Sequence, residues 1–298
     1  MEMYLQKDTF VGRRWLFDDL NADLLHSSTH GRGILLFAEM GYGKTSIASQ
    51  CICANQSSVG YQIRKHVVAY HVCRYDVYLT KTADTFIKRM SRMIASHVPE
   101  FLSQISTDSS CVELYDKQTC NTDPFGCMDQ CVIHPLSKMN VSNRTLIVVI
   151  DALDECDNTI YKRENAYNDN VIYQLLKYRL QSIPTFLQFL VTSRHVAKFN
   201  DLEHYVKPYF LSSNDVLNKQ DVNDFLHKMH ENSTNMAFYN ADSVSNFLHA
   251  SKLNSSLVVS STESIDLFYE RQFERLFFDD FLIVKHVLEL VCAFFLNI

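Results

Sequence analysis

Glycine is scarce in this chain, and its placement limits what the chain can build. Only seven of 298 residues are glycine, and four of them, Gly31, Gly33, Gly41 and Gly43, fall between positions 31 and 43. A backbone without a Cβ turns tightly or lets another group approach closely, so the cluster marks a place where such geometry is needed. Residues 33–49 read GILLFAEMGYGKTSIAS: an apolar run ending at Phe37, a loop of small residues, and a helical pattern from about Gly43. The order is strand, loop, helix.

The loop matches the phosphate-binding pattern G-x-x-x-x-G-K-[ST] at every fixed position except the first, where Ala38 stands for glycine. Consecutive backbone N–H groups in such a loop converge on a phosphate, and the free N–H groups and dipole of the following helix favour the anion. This makes Gly41, Tyr42, Gly43, Lys44, Thr45 and Ser46 the candidate nucleotide-binding residues. Lys44 supplies a point charge for the β- and γ-phosphates, and the Thr45 hydroxyl is a ligand for Mg²⁺. Ala38 fits the first position if its φ is negative.

A second run, RTLIVVIDALDECD at 144–157, drives apolar residues straight into Asp151, Asp154 and Glu155. Continuous apolar runs of this kind are strands buried on both faces of a parallel sheet. Ligands of open α/β sheets bind at the carboxyl ends of such strands. Asp151 is therefore placed to hold Mg²⁺ through its water shell, and Asp154 or Glu155 to orient or deprotonate an attacking water. A third apolar run, Phe186 to Val191, ends in Thr192-Ser193-Arg194. If that strand lies between the other two, Arg194 faces the γ-phosphate and can sense it, since a planar guanidinium pairs well with phosphate oxygens.

Composition excludes other classes. A net charge of −6 and a pI near 6.0 argue against a nucleic-acid groove. The start, MEMYLQKDTF, lacks the basic and apolar regions of a secretory signal, which points to the cytoplasm. Nine scattered cysteines form no compact disulfide framework and are expected mostly as reduced thiols. The apolar stretch FLIVKHVLELVCAFFLNI is broken by Lys285, His286 and Glu289, so no membrane span is expected.

Elsewhere, Leu16, Leu20 and Leu24 recur at helical spacing, Val67–Val72 reads as a second strand, and Ala83–Val98 as a helix stopped by Pro99. The polar stretch 101–143 reads as a surface insertion, within which Asp123 and Pro124 start a helix. On that helix Cys127, Cys131 and His134 share a face. They are either a partial zinc set or, the favoured reading, small groups facing the core. Tyr167–Leu180 is a crossover helix and Val206–Leu211 a fifth strand, while Asp215–Met229, Asp242–Leu253 and Leu267–Phe278 are helices of a lid.

Taken together, Phe10-Val-Gly-Arg13, AEMGYGKTS, LIVVIDALDE and LVTSR resemble, in order, the motifs of the STAND class of P-loop NTPases. DPFGCMDQCVIHPL is similar to a segment of the NACHT-like module of TANC and related ankyrin-repeat scaffold proteins. The resemblance implies a three-layer α/β fold with a five-stranded parallel sheet in the order 5-1-4-3-2. Residues 1–212 would be the NTPase domain, and 213–298 a helical lid with the start of a truncated winged-helix-like region. It implies ATP and Mg²⁺ as ligands, with Val11, Gly12 and Arg13 around the base. It also implies slow hydrolysis as a conformational switch, with other proteins as partners. A homo-oligomer and a hydrolytically inactive scaffold both stay open. Departures from the class are Ala38 in the loop, Arg14 where many members carry an acid, and the lack of an ankyrin array after the module.

Overall fold

The computed structural model describes residues 10, 12–26, 31–39, 42–107, 111, 113, 119–139, 144–157, 170–212, 215–221 and 224. The expectations for Val11, Gly41, the two later lid helices and the apolar C-terminal stretch lie outside these residues, as do seven of the fifteen residues of the helix expected over Asp215–Met229.

Five strands carry the architecture: β1 (Gly33–Ala38), β2 (Val67–Val72), β3 (Leu146–Asp151), β4 (Leu187–Ser193) and β5 (Lys207–Leu211). All pairings are parallel, in the order β2-β3-β4-β1-β5. Read from the other edge this is 5-1-4-3-2, as expected. The three central strands are apolar and buried almost throughout because helices cover both faces.

Alternation along the strands divides the core in two. Ile34, Leu36, Ile147, Val149 and Leu190 face α1 (Arg14–Asn21) and α2 (Lys44–Cys53), meeting Leu16, Leu20, Ile47 and Cys51. Leu35, Phe37, Val148, Ile150, Phe189 and Val191 face α3 (Ala83–His97), α4 (Pro99–Thr107), α5 and α6 (Val171–Arg179). Here α5 is the helical run Pro124–Met128, Asp129–Ile133, His134–Ser137. The stretch 101–143, read as a surface insertion, contributes Phe101, Cys127, Met128, Cys131, Val132 and Leu136 to this second core.

Local chemistry sets the element ends. The Thr82 side chain caps α3 by accepting from the Thr85 N–H, Asp123 caps α5 through the Gly126 N–H, and buried Asn170 caps α6 through the Tyr173 N–H. Pro99 does more than stop α3. It opens α4, where a missing N–H costs nothing. The Asn170 cap starts the crossover helix at Val171, and Tyr167 lies outside the described residues.

One expectation about cysteine changes. Cys73 is joined to Cys156 and Cys120 to Cys127, so four of the thiols expected as reduced are paired. On the Cys127, Cys131 and His134 face the favoured reading holds for the cysteines and not for the histidine: Cys127, in a disulfide, and Cys131, its sulfur near the Cys111 carbonyl, are buried in the core, while His134 is exposed. Among the described residues no helix is long and apolar enough to cross a membrane.

Candidate functional site

The carboxyl edge of the sheet brings the separate motifs to one place. β4 lies between β1 and β3, with Phe37 in register with Ser193 and Ile150 with Val191. The tips carrying Ala38, Asp151 and Thr192-Ser193-Arg194 are therefore neighbours. α2 starts directly above them at Lys44, preceded by Gly43 at φ 77°. A Cβ there would have room, meeting only Ser46 at 3.9 Å, so backbone conformation is what requires glycine. Ala38 is not among the residues with positive φ, which removes the steric objection to it.

The Lys44 ammonium folds back onto its own loop, donating to the Ala38 carbonyl at 2.7 Å and the Glu39 carbonyl at 2.9 Å. Burial holds its pKa below the ordinary lysine value, opposed by the field of Asp154, Asp151 and Glu39 and reinforced by Arg194. The next residue, Thr45, stands beside Asp151, and its hydroxyl favours the charged carboxylate. Asp151 is fully buried and accepts from the Thr192 hydroxyl at 2.6 Å. Burial raises the Asp151 pKa, and the two hydroxyls and Lys44 only partly offset this.

Behind Asp151 the chain turns sharply. Ala152 has φ 57°, a left-handed conformation that costs a non-glycine residue about 1 kcal/mol. Its N–H is taken by the Thr192 hydroxyl at 3.0 Å. The short 3₁₀ turn Leu153–Cys156 then presents both remaining acids. Asp154 accepts from the Arg194 Nε at 2.5 Å, the Arg194 backbone N–H at 3.0 Å and the Ser193 hydroxyl at 3.3 Å. Burial pushes its carboxyl upward, but the hydrogen bonds and charge of Arg194 overcome this and hold it below the usual carboxylate range. Glu155 is half-buried and accepts from the Tyr75 N–H at 3.4 Å. The Asn170 side chain donates to the Leu153 carbonyl at 2.7 Å and fastens the turn from the other side.

The second part of the site is the N-terminal motif. Gly12 (φ 76°) and Arg13 (φ 61°) are both left-handed, and they aim Arg13 inward just before α1. Arg13 is buried and donates to the Tyr42 carbonyl at 3.4 Å, which joins this motif to the loop before α2. Asp221 closes over it, 4.0 Å from the Arg13 Nε, while accepting from the Trp15 indole at 2.8 Å. A Cβ on Gly12 would clash with the Asp221 carboxylate, so glycine is needed there for close approach as well as for φ.

Of the sequence-predicted site residues, the structure gathers Lys44, Thr45, Asp151, Asp154, Glu155 and Arg194 at one sheet edge, with Tyr42, Gly43 and Ser46 in the loop and first turn beside them. Gly12 and Arg13 adjoin this group through Tyr42, and Val11 and Gly41 lie outside the described residues. Thr192, Ser193, Asn170 and Asp221 were not singled out. The polar pair ending an apolar run did signal the first two, but nothing local marks Asn170 or Asp221. A family model described as Nephrocystin 3, N-terminal matches residues 12–194, a span running from the Gly12-Arg13 pair to the arginine that holds Asp154. The chain belongs to this nephrocystin 3 N-terminal family.

Proposed function

We propose that this domain binds ATP with Mg²⁺ at the β1, β3 and β4 tips and hydrolyses it slowly, as a conformational switch within a signalling or scaffold protein. The observation that carries this reading is the meeting of the two distant motifs: β4 brings the tips of β1 and β3 to one sheet edge, and Lys44 and Thr45 at the start of α2 lie close enough to Asp151 at the tip of β3 to favour its charged form. A helix N-terminus, a lysine and a strand-tip carboxylate then share one small volume. The order of motifs resembling the STAND class supports the same reading.

The residues fit a hard divalent cation. The Thr45 hydroxyl and Asp151 carboxylate are adjoining oxygen donors, and Mg²⁺ takes few protein oxygens and keeps water and phosphate for the rest. Bound there, Mg²⁺ would neutralise charge on the β- and γ-phosphate oxygens. Lys44 would exchange its two loop carbonyls for phosphate oxygens. Arg194 is half-exposed on its outer side and would read the terminal phosphate through the nitrogens not committed to Asp154. Asp154 is occupied by Arg194 and Ser193, which makes Glu155 the better group to orient a water.

Glu155→Gln should leave ATP affinity within about twofold of the native chain and lower phosphate release by at least tenfold, since general base catalysis contributes about 10²–10⁴ in rate. Unchanged release would move the base elsewhere. The holding of Asp154 by Arg194 and Ser193 favours a second reading, a nucleotide-bound scaffold without turnover. Nucleotide recovered from gently denatured protein distinguishes the two: diphosphate for the first, intact triphosphate for the second.

A further inference from the structure

Two buried sulfurs sit against the acid turn, and nucleotide binding makes no use of them. Cys73 follows β2 and Cys156 ends the turn Leu153–Cys156. They are joined across 83 residues with Cα atoms 5.2 Å apart, a separation that a disulfide spans without backbone movement. The segment after β2 grips the same turn at two other points. The Cys73 N–H donates to the Asp151 carbonyl at 3.0 Å, and the Tyr75 N–H to the Glu155 carboxylate at 3.4 Å. His71 completes the cluster, each pair of its donor atom and the two sulfurs lying within 4.8 Å. Its Nε2 is bonded to the Thr80 carbonyl at 2.7 Å, and burial pushes the imidazole down to about 4, so the ring is neutral near pH 7.

We propose that Cys73 and Cys156 are a reversible oxidation site, whose disulfide fixes the turn that carries Asp154 and Glu155 and whose reduction frees it. The effect on turnover rests on the assignment of Glu155 above; the locking of the turn does not. In the oxidising direction a small disulfide is the co-reactant. One cysteine thiolate attacks it, forming a mixed disulfide and expelling one thiolate. The second cysteine then attacks the mixed disulfide and expels the other. Two protein thiols and one small disulfide become one protein disulfide and two small thiols, with the cysteine protons passing to the departing thiolates. Both cysteines are buried, so the exchange proceeds when the turn opens, and the closed oxidised form is shielded from reductant.

The test compares the full chain equilibrated with oxidised glutathione and with dithiothreitol. Peptide mass spectrometry after alkylation should find Cys73 linked to Cys156 only in the first sample. Amide hydrogen exchange over residues 152–157 should then be at least tenfold slower in the oxidised form. At saturating ATP and Mg²⁺, phosphate release should be at least threefold faster in the oxidised form, with ATP affinity within twofold between the two. The doubly substituted Cys73→Ser, Cys156→Ser chain should lose the dependence on thiol state; if it does not fold, the native chain in its two states still decides.

Absence of the linked peptide overturns the proposal, as does equal exchange in the two states. A disulfide that forms and slows exchange but leaves turnover equal overturns the regulatory claim while the ATPase reading stands. If neither form releases phosphate, the Glu155 assignment fails, and the exchange difference alone supports or overturns the lock. Binding of one zinc ion by the reduced chain, with loss of two titratable thiols, would assign the trio to a metal and overturn the proposal.

Discussion

The two ends of the candidate site are built in opposite ways. The acid turn is fastened from four directions: Thr192 holds the Ala152 N–H, Arg194 holds Asp154, Asn170 holds the Leu153 carbonyl and Cys73 holds Cys156. Among the described residues, the end around Gly12 and Arg13 is held by the Tyr42 carbonyl and by Asp221, which reaches Arg13 and Trp15 from more than 200 residues away. Buried Arg13 keeps a guanidinium nitrogen, Nη1, without a hydrogen-bond partner among the described residues. Groups at the first end are held in place by these bonds, an arrangement suited to the proposed chemistry on a phosphate. The second end is held by few contacts, an arrangement suited to the proposed switch.

The largest effect expected from breaking this comparison is at the fastened end. Arg194→Ala leaves the buried Asp154 carboxylate with only a hydroxyl and a backbone N–H, and should cost about 2–3 kcal/mol in urea unfolding. The loss should shrink in acid: a depressed carboxyl contributes stability above its unfolded pKa and loses it as pH falls through the folded value.

At the other end, Asp221→Ala should cost about 1–2 kcal/mol and raise the exchange of Trp15 and its neighbours, leaving the acid turn unchanged. Spread of that disturbance to residues 152–157 would show that the two ends are one unit.

The smallest effect has the opposite sign. Asp151 has a raised pKa, so its ionisation opposes folding, and the opposition grows as pH rises from the unfolded carboxylate value of about 4 to the folded value. Asp151→Asn should therefore gain stability relative to the native chain as pH rises from about 4 to about 7, while losing the Mg²⁺ dependence of nucleotide binding. A melting series across pH checks the sign.

Much of the fastened end was legible in the sequence, and little of the other. Central parallel strands are continuous apolar runs because both faces are covered, so LIVVID and LQFLVTS announced themselves, and the acids and arginine that follow them lie at one sheet edge. The strand–loop–helix unit of β1 and α2 was legible because glycine is so rare elsewhere. What escaped were pairings between distant residues with ordinary neighbours: Cys73 with Cys156, Asn170 with Leu153, Asp221 with Trp15. The stretch 101–143 misled because its surface-like serines and aspartates mask a helical stripe, Cys127, Met128, Cys131, Val132 and Leu136, that packs inward. Pro99 ended the helix as read, and the structure adds that a residue that stops one helix is equally suited to begin the next.

The most direct measurement is calorimetric titration of ATP, with and without Mg²⁺, into the native chain and into Lys44→Ala. The account expects saturable, Mg²⁺-strengthened binding by the native chain and at least a tenfold loss in the variant, since a charge-assisted contact is worth about 1.5–3 kcal/mol. Equal affinities in the two proteins, or no heat of binding from either, would contradict it.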